Sequence, residues 1–177
     1  MDIILAIVLL FFVSPGDSAT RMKITSSAFA EGQTIPVIYA YPGVKDGKNI
    51  SLPLSWTGAP SGTKSFALSV IDPHPVANNW IHWFVIDIPD SISSLAEGAS
   101  GKNMPKGSIE LQNSYGEMGY GGPEPPPGSG AHPYVVTVYA LSVSNLKLKT
   151  DCSLTEFKKA LEGKVLGSAT TTGKYER

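Results

Sequence analysis

The chain has 177 residues, 42% of them hydrophobic and 16% charged, with a formal net charge of −1. That is enough for one globular domain with its own core and too little for two comfortable ones. With no basic footprint, the composition excludes nucleic acid as a partner and gives no pull toward an anionic membrane surface.

The first residues, "MDIILAIVLLFFVSPGDSAT", stand apart. Ile3 to Val13 is an unbroken apolar run, too short to cross a bilayer as a helix and the length of a signal-peptide core. Gly16 and Ser18 supply a small-residue cleavage pair, although the segment before the run carries Asp2 and no Lys or Arg. The expectation is a signal peptide over residues 1–19 and a single domain over 20–177, periplasmic or secreted. Initiation at Met22, where "MKITSSAF" reads as the start of a domain, would make the protein cytoplasmic instead.

From there the dominant pattern is alternation, the signature of strands. Residues 22–29 and 50–56 are weak strand candidates. "SFALSVID" is a strong one, with Phe66, Leu68, Val70 and Asp72 on one face. "WIHWFVIDIP" puts Trp80, His82, Phe84, Ile86 and Ile88 on one face and Ile81, Trp83, Val85 and Asp87 on the other. A long connection over about 91–130 holds "GYGGPEPPPGSG", whose prolines restrict the backbone and predict an ordered loop. "AHPYVVTVYALS" alternates His132, Tyr134, Val136, Val138 and Ala140 with Pro133, Val135, Thr137, Tyr139 and Leu141. "DCSLTEFKKALEG" reads as a helix: Ser153 and Glu156 form a capping box, Leu154, Phe157 and Leu161 an apolar stripe, and Gly163 a stop. Residues 165–172 form a last, weaker strand. Many strands with one short late helix predict an all-β fold, a two-sheet antiparallel Greek-key β-sandwich with one or two short helices. Cys152 is the one cysteine, so it makes neither an intramolecular disulfide nor a cysteine metal cluster.

Polar groups recur near strand ends in the core-facing phase. Asp72 closes one face, His82 opens another, and His132 with Tyr134 begins a third, so the four are expected on one rim. Imidazoles, a Tyr hydroxyl and Gly-rich amides suit a phosphate-type anion, with Asp72 orienting a histidine. Three His and an Asp also suffice for zinc, although no paired spacing such as HxH occurs. No G-x-S-x-G, P-loop or CxxC motif is present, and Ser114 in "NSYGEMG" has no base assignable to it. Trp80, at a loop junction, could wall a pocket.

Three stretches carry a resemblance: "NISLPLSWTGAPSGTKSFALSVIDP", "NNWIHWFVIDIP" and "NSYGEMGYGGPEPPPGSGAHPYVVTVYALS", with a closing "GKYER". In this order they closely resemble the phosphatidylethanolamine-binding proteins, also called Raf kinase inhibitor proteins, and their bacterial branch above all. The resemblance implies a β-sandwich with an edge pocket for a small phosphate-type anion or phospholipid head group, no enzymatic activity and no cofactor. The family's D-P-D-x-P motif falls on Asp72-Pro73-His74-Pro75-Val76, with His74 in place of the second Asp. Its W-x-H-W motif is intact from Trp80 to Trp83. Its G-P-x-P-P segment matches Gly122-Pro123-Glu124-Pro125-Pro126 as a backbone wall. Its G-x-H-R-Y becomes Gly130-Ala131-His132-Pro133-Tyr134, keeping His132 and Tyr134 but losing the Arg. The expected ligand-binding set is therefore Asp72, His74, Trp80, His82, Gly122, Glu124, Pro125, Pro126, His132 and Tyr134, with no metal site. At the rim, His74 would raise anion affinity as pH falls below about 6.5. Two alternatives stay open: a protease or kinase inhibitor acting through its surface loops, and a metal-dependent enzyme using His74, His82 and His132. A second copy of the chain is a further candidate partner.

Overall fold

The computed structural model describes residues 21–177. The signal-peptide expectation for residues 1–19 lies outside the described residues. The chain runs through β1 (Lys23–Ser26), a 3-10 turn (Val37–Tyr39), β2 (Leu54–Thr57), β3 (Ser65–Asp72), β4 (Trp80–Pro89), β5 (Ser94–Leu95), β6 (Ile109–Glu110), β7 (His132–Leu141), α1 (Leu154–Leu161) and β8 (Val165–Tyr175). The strands form two sheets, β1-β2-β5 and β6-β4-β3-β7-β8, with every strand pair antiparallel. β7 returns beside β3 instead of β6, which is the Greek-key connection. The long connection over 91–130 is ordered and contributes two short strands of its own, β5 and β6.

At the centre of the large sheet, β3 and β4 are buried on both faces. Phe66, Leu68, Val70, Val136 and Val138 face the small sheet and meet Ile24, Leu54 and Trp56 in the main core. On the outer face Ala67, Phe84, Ile86 and Leu141 pack under Phe157 and Leu161 of α1. The helix begins as its sequence dictates. The Ser153 hydroxyl accepts from the Glu156 amide at 3.2 Å, and Glu156 Oε2 accepts from the Ser153 amide at 2.8 Å. Gly163, at φ +70°, ends it in a conformation glycine adopts without steric cost. Cys152 is buried in this outer cluster. The second strand starts later than its apolar pattern suggests because Pro53 has no N–H to give a ladder.

β4 departs from simple alternation. Val70 pairs with Trp83 and Ile71 with Ile81, so His82 has no partner across the ladder. One extra residue in this way is a β-bulge, which turns two successive side chains to the same side. Trp83 and Val85 therefore belong to the main core, while Ile81, Phe84 and Ile86 belong to the outer cluster. The expectation that His82 shares a face with Phe84 and Ile86 is corrected by this bulge. A second irregularity opposite Ala67 brings Ile88 back to the main core. It passes through Asp87 at φ +58°, a left-handed conformation that Asp tolerates better than most residues.

Candidate functional site

The bulge is held from outside by the long loop. The Ile81 amide donates to Ser114 Oγ at 2.8 Å, the Ser114 amide to the Ile81 carbonyl at 2.8 Å, and the Gly121 amide to the His82 carbonyl at 2.8 Å. Ser114 is thus spent on the strand edge, which explains it without a catalytic role. Reversal of the bulged residue aims His82 into the sandwich mouth, where its ring meets Tyr134 edge-on at 4.9 Å between centroids.

A cavity of about 260 Å³ opens there. β3 contributes Asp72, β4 contributes Trp80 and His82, and β7 contributes His132 and Tyr134. Glu124, Pro125 and Pro126 form the wall opposite, and Val76, Ala77 and Tyr115 complete the lining. Eight of the ten residues expected at the site line this cavity. The other two, His74 and Gly122, do not line it. His74 lies behind His132, its ring stacked on the other at 3.8 Å and 22°, with its amide donating to Asp72 Oδ1 at 2.8 Å. Gly122 sits where a Cβ would lie 2.1 Å from the Tyr39 carbonyl oxygen, so it lets two backbone segments meet and does not face the cavity.

Sequence reasoning missed Val76, Ala77 and Tyr115. The first two carry no chemistry to notice. Tyr115 is held flat against Tyr41 at 4.0 Å, donates its hydroxyl to the Gly122 carbonyl at 2.9 Å and supports Trp80 edge-on.

The polar floor is a chain of fixed bonds. Asp72 is 2% exposed and His132 wholly buried; His132 Nδ1 lies 2.6 Å from Asp72 Oδ2. A carboxylate at this distance accepts, so Nδ1 donates. The Ser129 hydroxyl lies 2.6 Å from the Pro126 carbonyl and 2.9 Å from His132 Nε2. Both nitrogens of His132 are engaged, Nδ1 with Asp72 and Nε2 with Ser129, and the ring is held in place. Asp72 is occupied on both oxygens as well. At the wall, Glu124 faces Arg177 at 3.4 Å.

His82 differs. Its Nδ1 lies 2.6 Å from the Gly121 carbonyl, which only accepts, so Nδ1 carries the proton and Nε2 presents a lone pair. Neither His82 Nε2 nor Tyr134 Oη bonds to another described residue. Among the described residues the sealed, unpartnered side-chain atoms are Trp56 Nε1 and Asp87 Oδ2 alone, so the cavity reaches His82 Nε2 and Tyr134 Oη. Burial pushes the Tyr134 hydroxyl upward, aided by the charge of Asp72, and it stays protonated. Burial pushes His82 down to about 4, with the Gly121 carbonyl and Asp72 opposing.

That shift has a consequence for stability. The folded protein holds His82 neutral where the unfolded chain would protonate it near 6.5, so the unfolded state binds more protons and stability rises with pH. The contribution, about 3 kcal/mol, is present above pH 6.5 and lost as pH falls toward 4. Urea unfolding at pH 7 and pH 4.5 should show the loss. His82→Asn, whose amide can still donate to Gly121, should show a flatter dependence; an unchanged slope would mean that another group carries it.

Among the described residues no three of His, Cys, Asp and Glu are grouped to hold a metal ion, and the zinc alternative finds no ligand set there.

Comparison with known proteins gives a consistent picture. A family model described as phosphatidylethanolamine-binding protein matches residues 25–176. The chain is 38% identical over 156 residues to a UPF0098 protein of Aquifex aeolicus, covering 88% of this chain and 89% of that one. It is 30% identical over 181 residues to YbcL of Escherichia coli, covering 99% of each. The crystal structure of YbcL, described as a new member of the mammalian PEBP family, matches with a TM-score of 0.83 at 31% identity, over 89% of this chain and 99% of that one. A Mycobacterium tuberculosis protein with the name "Putative lipoprotein LppC" is 34% identical over 163 residues, covering 92% of this chain and 76% of its own length.

Proposed function

The chain belongs to the phosphatidylethanolamine-binding protein family, and from that premise we propose that it binds a small phosphate-type anion, free or as part of a lipid head group, without transforming it. One observation carries this reading: the cavity ends on two polar atoms, His82 Nε2 and Tyr134 Oη, that no described residue satisfies. Asp72 and His132, the other polar side chains of the floor, are already bonded. Buried polar groups are ordinarily paired, so a pair left open at the end of an enclosed, aromatic-walled cavity is what a ligand would complete.

The site is also neutral enough to tolerate an anion. His132 lies against Asp72 and Arg177 against Glu124, so each carboxylate at the cavity has a cation or donor behind it. Asp72, His132 and Ser129 stand in the order of a hydrolytic triad, but the Ser129 hydroxyl is also bonded to the Pro126 carbonyl and His132 is wholly buried. That favours binding over acyl transfer.

The reading extends to location. The apolar run Ile3 to Val13 has the length of an export signal, and similarity to LppC, whose name suggests a lipoprotein, points the same way. A site outside the cytoplasm is proposed on these two grounds.

Calorimetric titration with inorganic phosphate tests the binding. Tyr134→Phe keeps the ring and removes only the hydroxyl, and should weaken binding by about tenfold or more. Binding of equal strength in both proteins would sink the reading of this cavity as the site.

A further inference from the structure

The arrangement of lone pairs in the cavity constrains the ligand more narrowly than "an anion". Resting on the binding reading above, we infer that the pocket selects a phosphate monoester or inorganic phosphate carrying one proton, held between a ligand oxygen and His82 Nε2, over oxyanions that cannot carry a proton at neutral pH. Sulfate and phosphodiesters, including the diester of an intact phospholipid head group, fall in the second class.

The Gly121 carbonyl at 2.6 Å takes the one proton of the His82 ring at Nδ1, which leaves an acceptor at Nε2. The other histidine cannot substitute as a donor to the ligand, since its nitrogens are bonded to Asp72 and Ser129. Tyr115 is spent on Gly122. Of the hydroxyls lining the cavity, only that of Tyr134 is unbonded. A fully ionised oxyanion would therefore place a negative oxygen against the lone pair of His82, with the Asp72 carboxylate close behind. A ligand with one O–H turns that repulsion into a hydrogen bond. Sites built to pair a polar group reject analogues that leave it unpaired.

The charged and titratable groups around His82 are few. Asp72 faces it from β3, His132 and Tyr134 from β7, and Tyr115 and Glu124 from the loop before β7. His74 and Arg177 stand behind His132 and Glu124. With Nδ1 spent on the Gly121 carbonyl and the ring buried, His82 in the free protein is neutral and presents only an acceptor, so a ligand O–H is what completes it. The second ionisation of a phosphate monoester lies near pH 6, so binding at higher pH must draw one proton from solution.

Methyl phosphate, dimethyl phosphate and sulfate are the probes, titrated calorimetrically at pH 5.5 and pH 7.5. At each pH two buffers of different ionisation enthalpy count the protons exchanged. Methyl phosphate should bind about ten- to a hundredfold tighter than the other two at pH 5.5. At pH 7.5 it should bind more weakly, with uptake of close to one proton per site. His82→Asn, which keeps a donor to Gly121 but offers no imidazole acceptor, should lose both the preference and the uptake. The proton count on the unaltered protein tests the inference even if that variant folds poorly. Equal affinity for all three probes without proton uptake would overturn the inference and leave the binding reading standing. No binding of any probe would remove both.

Discussion

Asp72→Ala is expected to destabilise the fold by about 3–5 kcal/mol and to abolish phosphate binding in whatever remains folded. Asp72 is 2% exposed and fully engaged, with Oδ2 on His132 Nδ1 at 2.6 Å and Oδ1 on the His74 amide at 2.8 Å. Alanine removes both acceptors at once. His132, wholly buried, is left with an Nδ1–H and nothing to receive it, and an orphaned buried donor costs far more than the bond it once made was worth. The loop from Asp72 to Ala77 also loses its anchor, since the bond to the His74 amide starts that turn. Asp72→Asn is the informative control. Its side-chain oxygen can still accept from His132, so it should retain most of the stability while changing the charge beside His82. Urea unfolding of both variants, with phosphate titration of each, separates the contributions. A loss below about 1 kcal/mol for Asp72→Ala would mean that His132 finds another acceptor.

How far the sequence reveals this site depends on which interactions are local. β3 and β7 were legible because their alternation is unbroken: Asp72, His132 and Tyr134 fall on the inner face simply by parity. β4 was not. Its parity changes at His82 because a bulge is stabilised by Ser114 and Gly121, residues far along the chain whose effect no window of residues 80–89 contains. Strict alternation therefore misplaced Phe84 and Ile86 alongside His82, yet the histidine still reached the pocket. Tyr115 was invisible for a similar reason. Its ring is positioned by Tyr41, and nothing in "NSYGEMG" distinguishes it from an exposed loop tyrosine. His74 was expected at the rim from its place in the family's D-P-D-x-P motif; the structure adds that its ring stacks on that of His132. Gly122 was read as a wall when its lack of a side chain serves the contact with Tyr39 and Ala40.

The same bulge makes a sharp test of whether stability and binding are separable. Phe84→Ala is expected to cost about 3–5 kcal/mol while leaving phosphate affinity of the folded protein unchanged. Phe84 is wholly buried on the outer face of the large sheet, its ring stacked on Phe157 at 4.1 Å and 9°. Truncation opens a void between the sheet and α1, bounded by Ile86, Leu111, Leu141 and Leu161. Short helices depend on such contacts more than on their own hydrogen bonds, so α1 should loosen first. His82, two residues earlier, points to the opposite face, and its bonds run to Gly121 and the sandwich mouth instead of to the helix. Urea midpoints and phosphate affinities measured side by side decide the matter. A fall in affinity with little change in stability would mean that the helix layer, through β4, helps to aim His82. Stability lost at constant affinity would establish that one strand, by inserting a single residue, assigns one face to folding and the other to the ligand.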